Sequence, residues 1–203
     1  MRAAPHRDEA TRSGTRAGRG DLGHDGPVMH GRAEVLWYAP GHTNDEETVR
    51  MVSSQVHVRY VDSVPLAVVH RLARHEDLRR VVPECCGLVW SALRTLGVTG
   101  GRHVAVYRDS AIHLEVGVEL LEPFMEEGDV VRSATPAGTV ATLAHYGPYR
   151  GLAEAHEAIR DWCRTTNVSL AGPNWEVYGH WQPEWERAPG LIRTDVFYLL
   201  ADG

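Results

Sequence analysis

The sequence predicts an α+β domain built from a duplicated strand-helix-strand-strand unit, forming one antiparallel sheet with two helices on one face and a ligand cleft at the pseudo-twofold junction. Three observations predict it. The order of hydrophobic periodicities from about 55 to 122 recurs from about 128 to 201. Each half holds one apolar-periodic segment of helical length, with a proline near its start and a residue suited to a left-handed cap at its end. The letters also match: RHVAVY lies over PNWEVY and AIHLEVGVELL over LIRTDVFYLL, which pairs Ala105 with Glu176, Tyr107 with Tyr178 and Glu115 with Asp195. Two such units bury their apolar faces most simply by sharing a sheet.

Residues 1–50 read as a poorly ordered leader. Positions 1–32 mix Arg, Gly, Asp and His with almost no apolar periodicity, so they cannot bury enough surface to offset the entropy of ordering. The run from Val35 to Tyr38 is expected to dock as an extra segment. The domain proper is expected over 51–203. VHVRYVDSVPLAVVHRLA, Val56 to Ala73, alternates and is rich in β-branched residues, with a break at Asp62 to Pro65: two strand pieces or one bent strand. A helix is expected from Arg80 to Gly97, entered through Pro83 in its first turn and stopped by Gly97, with Cys85, Leu88, Val89, Ala92, Leu93 and Leu96 as its apolar stripe. Gly101 to Asp109 and Ala111 to Leu121 follow as strands joined by a tight turn.

In the second half, Gly128 to Tyr146 reads as another strand pair or bent strand. The helix entered at Pro148 carries Leu152, Ala155, Ile159, Trp162 and Cys163 on one face and ends at a left-handed Asn167. GPNWEVYGHW and LIRTDVFYLL are the closing strands. The row Ile112, Leu114, Val116, Val118, Leu120 marks the buried face of its strand, so by correspondence Tyr198 faces in and Asp195 out.

Composition narrows the function. The chain has 203 residues and a formal net charge of −6, from 21 basic residues, all Arg, against 27 acidic ones, a balance that offers no footprint for direct nucleic acid binding. No apolar run approaches the roughly 18 residues of a membrane span, and no signal-peptide core is visible, which predicts a cytoplasmic protein without membrane attachment. Cys85, Cys86 and Cys163 form neither a CxxC pair nor a metal knuckle, and the histidines show no HExxH spacing. No metal and no cofactor is expected.

One stretch stands out. GPNWEVYGHW, Gly172 to Trp181, places Glu176 between Trp175 and Tyr178 with no Lys or Arg within four residues. Alternation puts Asn174, Glu176 and Tyr178 on one face and Trp175 and Val177 on the other. A carboxylate beside aromatic surface reaches water, keeps a proton, or waits for a cation or polar ligand. Glu176 also replaces the small Ala105 at an otherwise matched position, so the duplication is broken there by a carboxylate.

ATLAHYGPYRGL, Ala141 to Leu152, followed by a helix, then GPNWEVY and the last strand RTDVFYLL, resembles the GyrI-like or effector-binding small-molecule domains, relatives of the SOUL haem-binding proteins and of the ligand domains of multidrug-responsive regulators. The resemblance covers about Gln55 to Leu200, and an HYGPY turn with WEVY about 26 residues later is a fairly specific combination. It implies a pocket between the two repeats for a hydrophobic aromatic small molecule. Trp90, Tyr107, Tyr149, Trp175 and Tyr198 would line it, and Glu176 would meet the ligand's polar or cationic part. Haem is not expected, because nothing singles out one axial His. Without a DNA-binding domain, the resemblance points to a stand-alone toxin-protection protein. In its sharp form this is a hydrolase that opens the cyclopropane ring of DNA-alkylating natural products, with Glu176, Tyr146 and Tyr178 as the catalytic group. Glu176 would be the base, and Tyr107, Tyr146 or Tyr178 would donate to the developing oxyanion. The alternatives are non-catalytic sequestration of lipophilic cations and a module that shields DNA gyrase; a homodimer is a further expected partnership.

Overall fold

The computed structural model describes residues 55–202, so the expected leader and its Val35 to Tyr38 run lie outside the described residues. Its elements are β1 (His57–Val61), β2 (Pro65–Leu72), α1 (Leu78–Leu96), β3 (Gly100–Tyr107), β4 (His113–Leu120), β5 (Val130–Ala134), β6 (Gly138–Tyr146), α2 (Leu152–Thr166), β7 (Leu170–Tyr178) and β8 (Arg193–Leu200), with single turns of 3-10 helix between some of them. All eight strands pair antiparallel in one sheet, in the order β1-β6-β8-β7-β3-β4-β2-β5. The order reads the same from both ends once β1 is exchanged with β5, β2 with β6, β3 with β7 and β4 with β8. The pseudo-twofold axis therefore passes between β3 and β7.

The outer strands are traded. β1 precedes β2 in the chain but pairs with β6, and β5 precedes β6 but pairs with β2. Only Asp62, Ser63 and Val64 join β1 to β2, a reach of at most about 14 Å. In a flat sheet the two strands would lie six spacings, or about 29 Å, apart. The sheet must therefore curl until its ends approach each other. Ser63 Oγ donating to the Thr135 carbonyl (2.7 Å) and the Val64 N–H donating to Thr135 Oγ1 (2.9 Å) stitch the two strand-to-strand links together.

Curling gives the sheet two apolar faces. On the concave side Leu66, Val68, Val104, Val106, Val140, Trp175, Val177 and Phe197 form one cluster. On the convex side Val69, Leu114, Val116, Val118, Leu143, Val196 and Leu200 meet both helices. α1 lies over β2, β4 and β3, and α2 over β6 and β8. α1 starts at Leu78, two residues before the expected position, because a 3-10 turn at His75–Asp77 leads into it. Pro83 thus sits inside the helix, where it gives up one backbone hydrogen bond. The buried residues of α1 are Val82, Cys85, Cys86, Val89 and Leu93, while Leu88 and Leu96 of the expected stripe are exposed. Both helices stop as the sequence predicts, at a left-handed Gly97 (φ 67°) and a left-handed Asn167 (φ 56°).

Gly117 in β4 leaves no room for any side chain: an added Cβ would stand 1.7 Å from the Ala67 carbonyl oxygen of β2. Gly117→Ala should therefore lower the unfolding free energy in urea by on the order of 3 kcal/mol. A change under about 1 kcal/mol would contradict this account of the β2–β4 contact.

Candidate functional site

With α1 over β2, β4 and β3 and α2 over β6 and β8, the central pair β3–β7 forms the floor where the two helices' territories meet. Cross-strand partners point to the same face. Ala105 stands opposite Glu176 in this ladder, with His103 opposite Tyr178 and Tyr107 opposite Asn174. All six side chains face the helix layer. Two positions equivalent by duplication thus meet on the pseudo-twofold axis, one small and one a carboxylate, and Glu176 is 5% exposed.

Donors converge on that carboxylate. His156 of α2 lies 2.7 Å from Oε1 through Nε2, while the hydroxyls of Tyr178 and Tyr107 donate to Oε2, Tyr107 at 3.4 Å. His156 Nδ1 lies 2.9 Å from the Tyr198 hydroxyl, to which Arg160 Nη1 donates at 3.1 Å. The bonds run in one direction. The guanidinium donates to Tyr198, Tyr198 to Nδ1, and Nε2–H to Glu176, so every donor finds an acceptor when Glu176 is the carboxylate. No guanidinium reaches Glu176 directly among the described residues; Arg160 is three hydrogen bonds away, through Tyr198 and His156. Burial, and then the neighbouring charge of Glu176, push the hydroxyls of Tyr107 and Tyr178 well above the usual tyrosine range, so both remain donors. Burial also raises Tyr198.

The floor continues past Tyr178 to His103. The indole N–H of Trp90, from α1, donates to His103 Nε2 at 2.9 Å, and the two rings meet edge to face at 5.7 Å. Burial, with the nearby His180, holds the His103 pKa down to about 4. His103 Nδ1, Thr194 Oγ1 and His145 Nδ1 are buried without a hydrogen-bond partner among the described residues. They share one row across the sheet, His103–Tyr178–Thr194–His145.

The structure brings together Glu176, Tyr178, Tyr107 and, through His156, Tyr198. Tyr149 packs edge to face on Tyr178 at 5.6 Å, and Trp90 flanks the floor at His103. Two expected residues are not in the group. Trp175 lies on the concave side, as alternation requires, stacked on Phe197 at 5.2 Å. Tyr146 also falls on the concave side by alternation from Leu143, opposite Arg193 and 37% exposed, on the other face of the sheet from Glu176. The HYGPY turn has a structural explanation. His145 Nε2 lies 3.2 Å from the Pro148 carbonyl, and its ring sits so close beneath the turn that a Cβ on Gly151 would stand 2.9 Å from it. Sequence reasoning missed His156, Arg160 and His103. The available signal for the first two was their spacing of four along α2, beside its apolar stripe.

In the unfolded chain His103 takes up a proton as pH falls through about 6.5. In the folded protein it does so only near 4. The unfolded state therefore binds more protons between those values, and stability drops as pH is lowered from about 6.5 to about 4. The fall in Tm over that window should be smaller for His103→Phe than for the wild type, as read by circular dichroism; parallel curves would refute the neutral, buried state of this ring.

No curated protein matches the chain. Among solved structures it is similar to the C-terminal domain of EcmrR, at 16% identity over 73% of this chain and 98% of that one, with a TM-score of 0.61. In the EcmrR–DNA complex with EcmrR-RPo it spans only 58% of the EcmrR chain. An uncharacterized conserved protein from Listeria innocua (10% identity, 73% of this chain and 93% of that one) and SAV2435 bound to tetraphenylphosphonium (7%, 72% and 95%) each give a TM-score of 0.50. At these identities the likeness establishes the fold alone. The family match reaches further, over residues 55–199, and the chain belongs to the family of the GyrI-like small molecule binding domain.

Proposed function

We propose that this chain takes up a flat, hydrophobic aromatic compound on the β3–β7 floor and hydrolyses it, its substrates being DNA alkylators that carry a cyclopropane conjugated to a dienone. The observation that carries this reading is the buried Glu176, oriented on one oxygen by His156 and on the other by two tyrosine hydroxyls, with no guanidinium bonded to it among the described residues. Such a carboxylate is positioned as a general base. Tyr107 is its loosest partner at 3.4 Å, and a water entering between that hydroxyl and Oε2 would be held by both. Glu176 takes one proton of this water as the oxygen bonds to a ring carbon of the cyclopropane. The carbon–carbon bond breaks, its electron pair moves through the dienone to the carbonyl oxygen, solvent protonates the resulting phenolate, and Glu176 returns its proton to solvent. The product is the substrate plus one water. Tyr178, Tyr198 and Arg160 hold the base and its histidine, while Tyr149 and Trp90 supply aromatic walls.

A second reading, capture of a lipophilic cation without turnover, is favoured by the same buried carboxylate, and SAV2435, which shares the fold, has been solved with tetraphenylphosphonium. One experiment separates them. The protein is incubated with a cyclopropane-bearing alkylator and the products are followed by mass spectrometry, beside Glu176→Gln. Multiple turnovers to a product heavier by one water, reduced at least about 100-fold in the variant, are expected. Recovery of unchanged compound leaves the binding reading. Tetraphenylphosphonium affinity should then fall on the same substitution, and failure of both effects removes Glu176 from the site.

A further inference from the structure

We propose that His103 presents a fixed N–H donor to a carbonyl oxygen of the ligand, so that the cleft selects flat neutral molecules bearing a ketone or amide carbonyl over their hydrocarbon counterparts. The inference rests on the reading that the β3–β7 floor holds a flat hydrophobic ligand, and names a feature of that ligand.

The argument begins with the tautomer. An indole N–H can only donate, so the 2.9 Å bond from Trp90 requires a lone pair on His103 Nε2. A neutral imidazole then carries its proton on Nδ1. That N–H is buried and meets no acceptor among the described residues. An unmet buried donor is destabilising, a cost that an incoming acceptor removes. The ring's depressed pKa, about 4, keeps the imidazole neutral at ordinary pH.

Position supplies the second part. His103 lies on the helix-facing side of the floor, diagonal to Glu176 across the ladder, at a spacing of about 7–8 Å. That is a suitable separation for a six-membered ring with its carbonyl at one end and its reacting carbon at the other. Charge narrows the ligand class. A cation would be repelled by the N–H dipole, and an anion by the nearby Glu176 carboxylate, so the matching group is a neutral acceptor. The other two partnerless atoms of the row, on Thr194 and His145, lie beyond Tyr178, where the Gly147–Gly151 turn closes over His145. In the hydrolysis proposed above, the His103 N–H would meet the oxygen on which negative charge develops.

The test uses two nearly isosteric tricyclic probes, fluorenone and fluorene, titrated into the full chain by calorimetry. The wild type should bind fluorenone about tenfold more tightly, the worth of one net hydrogen bond. His103→Phe should bring that ratio to about one while leaving fluorene affinity within about twofold, and His103→Gln, which keeps a donor, should restore part of it. Trp90→Phe frees the tautomer and should give an intermediate ratio. Should His103→Phe fail to fold, 15N-histidine spectra of the wild type provide the check: fluorenone should shift the Nδ1–H resonance and fluorene should not. A wild-type ratio near one, no binding of fluorenone, a ratio that survives His103→Phe, or an unmoved resonance each overturns the proposal. If the ratio behaves as expected while the cyclopropane compound is not turned over, the hydrolase reading fails and the donor stands.

Discussion

A carboxylate withdrawn from water has to be met by donors, and satisfying Glu176 dictates how the centre of this protein is built. Three side chains from three different elements reach it: Tyr178 from its own strand, Tyr107 from the strand across the axis, and His156 from the second helix. Each fixes something beyond itself. Tyr107 ties the two halves together at their junction. His156 ties α2 to the sheet and links Glu176 to Tyr198 and Arg160. The result is a rigid polar thread through an apolar layer. Partial loss of such a thread is worse than its complete replacement, because each remaining member is left buried and unmet.

Covering and uncovering of the sheet follow from its curl. A flat eight-stranded sheet with helices on one side would leave its other face to water. Here the three-residue links force the ends together, so Trp175, Phe197 and their neighbours pack against one another on the concave side. On the convex side α1 covers β2, β4 and β3 and α2 covers β6 and β8, so the central pair lies where the two helices' territories meet. That boundary is a by-product of symmetry: each helix belongs to its own half, and neither belongs to the axis.

Much of this was legible in the sequence. Strand and helix positions followed from periods of two and about 3.6 and from Gly97 and Asn167, because those signals are local. The duplicated letters located Glu176 and Ala105 as counterparts, and alternation correctly placed Tyr178 with Glu176 and Trp175 away from it, although Trp175 was still expected in the lining. Tyr146 was drawn in by the neighbouring motif, whose glycines and histidine turn out to serve the packing of a tight turn. His156, Arg160 and His103 were not legible. Whether a histidine on a helix flank reaches a given strand residue depends on how the helix is seated, and that is set by residues distant in sequence. The early start of α1 was hidden for a related reason: a 3-10 turn can lead into a helix ahead of a proline without a pattern of its own.

The traded outer strands bear on where such a protein comes from. A single unit of this kind would have a first strand with nothing in its own half to pair with, and would be complete only beside a second copy that lent its strand in return. In that symmetric pair the residue on the axis faces itself, so a glutamate there would confront a glutamate across the ladder, two like charges at close quarters. Fusion into one chain removes the restriction. Once the two halves are encoded separately, one axial position can shrink to alanine while the other keeps an acid. The asymmetric pair Ala105 and Glu176 is an arrangement that a homodimer of identical units could not have reached.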